Sequence, residues 1–151
     1  MIKVAICDDD IQFIYKLEQS IFRFAEMKRI KVDVDGYTSG AEFIQKLQQS
    51  ERYDLLFLDI ELGDSSGIIV GNWIRSQIQY ESMQIVFVSA KEMYAMQLFD
   101  LRPMNFLVKP IQQERVDYIL DEYERLYQFQ PHIIEIGKGR NSIRIEEHSV
   151  F

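Results

Sequence analysis

Polar residues suited to chemistry stand at the ends of four short apolar runs. Asp8, Asp9 and Asp10 follow the first, Asp59 follows residues 55–58, Ser89 follows 85–88, and Lys109 follows 106–108. Carboxylates are the hard oxygen ligands that Mg2+ prefers, and three of them from two strands leave positions for waters and a phosphoryl oxygen. A lysine and a hydroxyl complete an anion clamp. The set suits transfer of a phosphoryl group onto one carboxylate: metal and lysine neutralise its charge from two sides, and the hydroxyl hydrogen-bonds the product.

Each residue also has a plainer role when taken singly. Asp is favoured at helix N-caps and in first turns, so Asp9 or Asp10 serves to cap the first helix, and Asp10 is assigned that role alone. Asp59 serves equally as a turn former, Ser89 as an N-cap, and Lys109-Pro110 as a solvated loop with proline in the first helical turn. What favours the phosphoryl-transfer reading is that all four ends carry compatible groups in one chain.

These residues converge only if the elements before them share a sheet. An apolar run to Cys7 is followed by Ile14, Leu17, Ile21 and Phe24 at helical spacing, predicting strand then helix to Lys28. Ile30, Val32 and Val34 alternate with charged residues as in a half-buried strand, and Ser39-Gly40-Ala41-Glu42 is a capping box for a helix carrying Phe43, Ile44 and Leu47. Residues 55–58 and 85–88 read as central parallel strands buried on both faces. A third helix is expected through Ile68, Trp73, Ile74 and Ile78, a fourth over 93–101, a short strand over 106–108, and a fifth helix through Val116, Ile119, Leu120, Tyr123 and Tyr127. Strict alternation implies an α/β fold, a doubly wound parallel sheet with right-handed crossovers whose chemistry sits at the carboxyl ends of the strands.

After Pro131 the texture changes to that of a β-hairpin, with Ile134 and Ile136 before a Gly-Lys-Gly turn and Ile143 and Ile145 after it. So short a segment buries no core of its own. Its Lys138, Arg140 and Arg144 balance Glu135, Glu146 and Glu147, so the net charge of −7 belongs to residues 1–131. That charge argues against nucleic-acid binding by the main domain. The 151 residues, 47% apolar, are those of one folded domain with a short appendage. Cys7 is the single cysteine, so no internal disulfide forms and a cytoplasmic setting fits; no apolar stretch reaches the roughly 18 residues of a membrane span, and no signal peptide is indicated. His132 and His148 make no zinc motif.

The pieces Ile6-Cys7-Asp8-Asp9-Asp10, Leu58-Asp59-Ile60-Glu61-Leu62, Val88-Ser89-Ala90 and Lys109-Pro110 stand in the order, and at about the spacings, of one known family. Over roughly residues 1–127 the chain resembles the receiver domains of two-component response regulators. The resemblance implies a flavodoxin-like (βα)5 fold with strand order 2-1-3-4-5. It makes Asp59 the phosphoacceptor, with Mg2+ held by Asp8, Asp9, Asp59 and the Glu61 backbone carbonyl. Lys109 contacts the phosphoryl group, its bond to Pro110 being commonly cis in the family; Ser89 is the switch hydroxyl and Phe106 the aromatic that rotates with it. The implied partners are a sensor histidine kinase and a second copy, docked through the face of the fourth helix, fifth strand and fifth helix, with no membrane. Met96 and Phe99 either line that face or pack in the core, and helical spacing puts at least one of them in the core.

Residues 97–111 are further similar to regulators carrying a LytTR-type DNA-binding domain, and the tail looks like the opening strands of that domain. This divides the chain into a receiver, 1–128, and a linker with the N-terminal fragment of a DNA-binding domain, 129–151; DNA is bound only through the missing part. Gly63 and Lys91 depart from the family pattern near Asp59, which bears on the lifetime of the phosphorylated state. The resulting function is that of a phosphorylation-dependent regulator of transcription, a phosphoacceptor that assists its own Mg2+-dependent phosphotransfer and autodephosphorylation and is not an enzyme. The alternative is a scaffold of the same fold acting without phosphorylation. An aspartyl phosphatase would need a second acid and a cap for which no insertion exists, and acidic strand ends would repel a flavin phosphate.

Overall fold

A computed structural model describes residues 1–127. Five strands, β1 (Ile2–Cys7), β2 (Val32–Tyr37), β3 (Leu55–Asp59), β4 (Gln84–Ser89) and β5 (Asn105–Val108), form one parallel sheet in the order β2-β1-β3-β4-β5. This is the expected flavodoxin-like order. The expected hairpin of residues 129–151 lies outside the described residues. Residues 1–116 make one compact unit, and 117–127 belong to a second.

Helices cover both faces of the sheet within the first unit. On one face Ala5, Cys7, Leu56, Leu58, Ile85 and Phe87 join Phe43 and Leu47 of α2 (Gly40–Gln48) and Val70 and Ile74 of α3 (Gly67–Arg75) in one buried cluster. Side chains alternate along a strand, so Ile6 and its register partner Gly36 face the other way, toward α1 (Ile11–Lys28). A Cβ on Gly36 would stand 2.7 Å from Ile14 Cγ2, so the glycine inside β2 marks the close approach of α1 to the strand.

Local capping follows the expected chemistry. Asp10 is the N-cap of α1 and accepts from the Gln12 N–H at 3.0 Å, Ser39 caps α2 through the Glu42 N–H, and Ser66 caps α3 through the Ile68 N–H. The last helix, α4 (Gln113–Tyr127), opens with Gln113 donating to the Ser20 carbonyl at 3.0 Å. The Lys109–Pro110 bond is cis. Among the described residues no helix is long and apolar enough to cross a membrane.

Two expected helices differ. The third stops at Arg75 and Ile78 falls in a separate 3-10 turn, exposed: the backbone tightens into three-residue bonds from the N–H groups of Ser76 and Gln77 to the carbonyls of Trp73 and Ile74, while the Arg75 guanidinium donates to the carbonyls of Leu101 at 2.8 Å and Met83 at 2.9 Å. Where a helix is expected over 93–101, Glu92–Leu101 form a 3-10 segment anchored by buried Leu98 and Leu101. Met96 and Phe99 are 84% and 81% exposed, so neither fills the core position expected of at least one of them. Arg75 therefore bridges the loop before β4 and the end of the 3-10 segment with charge-assisted bonds. Arg75→Ala is expected to lower unfolding free energy by about 2 to 3 kcal/mol in urea titrations, as carbonyls lose their donors; an unchanged midpoint would refute the bridge.

Candidate functional site

The register delivers the polar strand ends to one edge. Cys7 pairs with Leu58, Asp59 with Val88 and Ser89 with Val108. Backbone bonds continue the ladder just past the strands, from Asp8 N–H to the Tyr37 carbonyl, Ile60 N–H to Val88 and Lys109 N–H to Ser89. Each functional side chain thus leaves a fixed backbone. A helix or 3-10 segment follows each of these strands, and the residues between strand end and helix line this edge.

Asp8, Asp9 and Asp59 meet there, each offering a carboxylate oxygen within 4.8 Å of the others. Asp8 and Asp59 are buried, at 1% and 4% exposure, while Asp9 faces solvent. Asp8 Oδ1 accepts from the Asp10 N–H at 2.8 Å, but its Oδ2 is buried without a well-angled hydrogen bond and has Lys109 Nζ at 2.9 Å. The same ammonium lies 3.7 Å from Asp59 Oδ2. A buried carboxylate oxygen paired with the Lys109 ammonium and standing beside two further carboxylates is the donor set that a hard divalent cation takes.

The electrostatics agree with the geometry. Burial, then the neighbouring Asp8, pushes the Asp59 carboxyl up to about 6, against the pull of Lys109 and of the Glu61 N–H that donates to its Oδ1. For Lys109, burial works against the charge, but the pairing with Asp8 and the attraction of Asp59 outweigh it and hold the ammonium above the ordinary lysine value. Burial also pushes the Cys7 thiol up to about 12, which leaves it no role as a nucleophile at neutral pH.

Ser89 is fully buried, and its Oγ accepts from the Lys91 N–H at 3.0 Å. Phe106 is half-buried in β5, two residues before the Val108 that pairs with Ser89, and packs against the core cluster. Glu61 stands two residues past Asp59 as the sequence requires, but its side chain is turned to Lys91, Oε2 to Nζ at 3.0 Å. The departure at Lys91 therefore ties the loop after β4 to the loop after β3. At Gly63, a Cβ would meet only Asp9 Oδ2, at 3.3 Å.

Three participants escaped the sequence reading. Gly67 packs on the backbone of Asp59 and Ile60, Asp64 accepts from the N–H groups of Gly40 and Ala41 at the start of α2, and Phe13 lies under the Lys109 ammonium. Asp64 and Phe13 act across the chain, Gly67 closes the turn after β3 on the strand end, and the residue types of that turn do not reveal these contacts; Phe13 sits one residue off the apolar stripe of α1.

The family model for the response regulator receiver domain matches residues 4–121. The chain belongs to that family. Over 151 residues the receiver and its tail are 29% identical to the sensory transduction protein LytT of Bacillus cereus, covering 99% of this chain and 58% of that protein. The chain thus spans little more than half the length of this relative. Among solved structures, the response regulatory domain of protein mrkE from Klebsiella pneumoniae matches with a TM-score of 0.72 at 23% identity, over 85% of this chain and 99% of that one. The response regulator protein TrrA from Thermotoga maritima, solved in complex with Mg(2+)-BeF, matches with a TM-score of 0.66 at 23% identity, over 81% and 98%. At this identity the two structures establish the fold. As a response regulator receiver, the domain works in two-component signalling.

Proposed function

We propose that Asp59 accepts a phosphoryl group from the phosphohistidine of a sensor histidine kinase. A carboxylate oxygen of Asp59 attacks phosphorus, the P–N bond breaks, and the imidazole leaves with the electron pair. Asp8, Asp9, Asp59 and the Glu61 carbonyl hold Mg2+, which, when bound, neutralises charge on the transferred group. Lys109 meets a second phosphoryl oxygen, moving from the Asp8 and Asp59 carboxylates toward the incoming charge. The observation that carries this reading is the meeting of the buried Asp8 and Asp59 carboxylates and the Lys109 ammonium at one sheet edge.

The new charge is the signal. Ser89 gives up the Lys91 N–H to hydrogen-bond the acyl phosphate, Phe106 follows it, and the surface that includes β5 and the 3-10 segment is biased toward a second arrangement. Exposed Met96, Phe99 and Val108 supply apolar area for a homodimer on that surface. The receiver extends to residue 128, and 129–151 are a linker and the start of a LytTR-type DNA-binding domain, through which the longer protein controls transcription in the cytoplasm. The receiver also assists hydrolysis of its own acyl phosphate.

Metal titration tests the ligand set. Mg2+ is expected to raise the thermal midpoint of the wild type in proportion to occupancy and to leave Asp9→Asn and Asp59→Asn much less affected. Equal stabilisation of all three would place the cation elsewhere.

A further inference from the structure

The Lys109 ammonium has three faces to satisfy, and the two carboxylates occupy only part of them. Its Nζ lies 2.9 Å from Asp8 Oδ2 and 3.7 Å from Asp59 Oδ2, and it stands 4.3 Å from the centroid of the Phe13 ring. The lysine side chain is 23% exposed, so solvent still competes for it. Phe13 is the third residue of α1, and the Asp10 cap fixes the turn that carries it. The ring is half-buried.

We propose that Phe13 is a positioning residue, whose ring face holds the Lys109 ammonium over the strand ends so that it meets the phosphoryl group arriving at Asp59. The inference rests on the phosphoacceptor reading. A lysine is a point charge on a flexible four-carbon stem, and an unrestrained one at a partly open edge swings into water. A third carboxylate in place of the ring would hold it too, but would cancel the charge that the phosphoryl oxygens need. An aromatic face attracts a cation through its quadrupole and takes up none of its N–H donors as a strong acceptor would. The contact with Asp59 is the longer of the two carboxylate contacts, so the ammonium is held close to the acceptor without being locked on it.

The full chain is the material for the test, with Mg2+ and a small-molecule acyl phosphate as phosphodonor. Phe13→Leu keeps apolar volume and loses the ring, while Phe13→Tyr keeps both. Phe13→Leu is expected to form the adduct about 3- to 20-fold more slowly with the fold retained by circular dichroism, and Phe13→Tyr to form it at close to the wild-type rate. An independent reading comes from NMR without donor or metal: the Lys109 side-chain Cε protons, assigned by their loss in Lys109→Arg, are expected upfield in the wild type and Phe13→Tyr through the ring current, and at ordinary positions in Phe13→Leu. Wild-type rate in Phe13→Leu, or equal slowing in Phe13→Tyr, would overturn the proposal, as would the absence of an upfield shift. Were the wild type itself to form no adduct, the phosphoacceptor reading would fall, and the Lys109 shift alone would decide the Phe13 contact.

Discussion

Gly67→Ala is expected to be the most damaging single methyl group in this domain. A Cβ at this position would stand 2.1 Å from the Asp59 carbonyl oxygen, 2.9 Å from its carbon and 2.9 Å from Ile60 Cα. All three atoms are backbone, at the strand end that carries the acceptor. No flexible side chain can yield, so either α3 must lift, losing the 2.7 Å bond from the Gly67 N–H to the Ile60 carbonyl, or Asp59 must move. No glycine among the described residues has positive φ, so the requirement here is for space and not for left-handed backbone. Overpacking against rigid backbone costs about 3 kcal/mol or more, and whatever folds should bind Mg2+ poorly. Two other glycines calibrate the effect. At Gly40 the added atom would meet the Val70 side chain at 2.7 Å, and at Gly63 only Asp9 Oδ2 at 3.3 Å, so the order of loss in chemical denaturation should be Gly67→Ala well above Gly40→Ala, with Gly63→Ala smallest. Equal stability of the Gly67 and Gly63 variants would contradict the packing described.

Removing the charge of Asp59 has the opposite sign. Burial and Asp8 hold its carboxyl at about 6, against 3.8 ordinarily. At 1.36 kcal/mol per tenfold, the ionised form therefore costs the metal-free fold about 3 kcal/mol at neutral pH. Between pH 4 and 6 the folded state binds more protons than the unfolded, so this part of the stability is present at low pH and lost as pH rises through the window. Asn keeps an oxygen for the Glu61 N–H and does not titrate. Asp59→Asn should thus match the wild type near pH 4 without metal and exceed it by about 3 kcal/mol at pH 7 and above, with the gap closing as Mg2+ is added. A variant less stable than wild type at pH 7 in chelator would refute this account of the acidic edge.

The parts of the molecule legible in its sequence are those set by local periodicity and by burial of whole strands. Strands β3 and β4 are continuously apolar because both faces are covered, so Asp59 and Ser89 stand out at their ends, and a parallel sheet brings such ends to one edge. The caps Asp10 and Ser39 were equally plain, since their hydrogen bonds close within three residues. Residues 93–101 read as α-helix from sequence although they are 3-10, because the buried pair Leu98 and Leu101 is spaced by three, which suits the eclipsed faces of a 3-10 helix as well as an α-helix. Ile78 keeps the four-residue spacing after Ile74, yet the backbone tightens into three-residue bonds at Ser76 and Gln77, which apolar spacing does not reveal. Distance along the chain hid Phe13 beneath Lys109 and the ion pair of Lys91 with Glu61: sequence placed the charges at the edge but not what orients them.

Phosphorylation of this receiver on Asp59 is read from intact mass after incubation with Mg2+ and a small-molecule acyl phosphate, on the wild type and on Asp59→Asn. A single phosphoryl adduct is expected on the wild type, lost at high pH as an acyl phosphate is, absent in chelator and absent from Asp59→Asn. An adduct of equal yield on Asp59→Asn, or none on a wild type that demonstrably binds Mg2+, would contradict it.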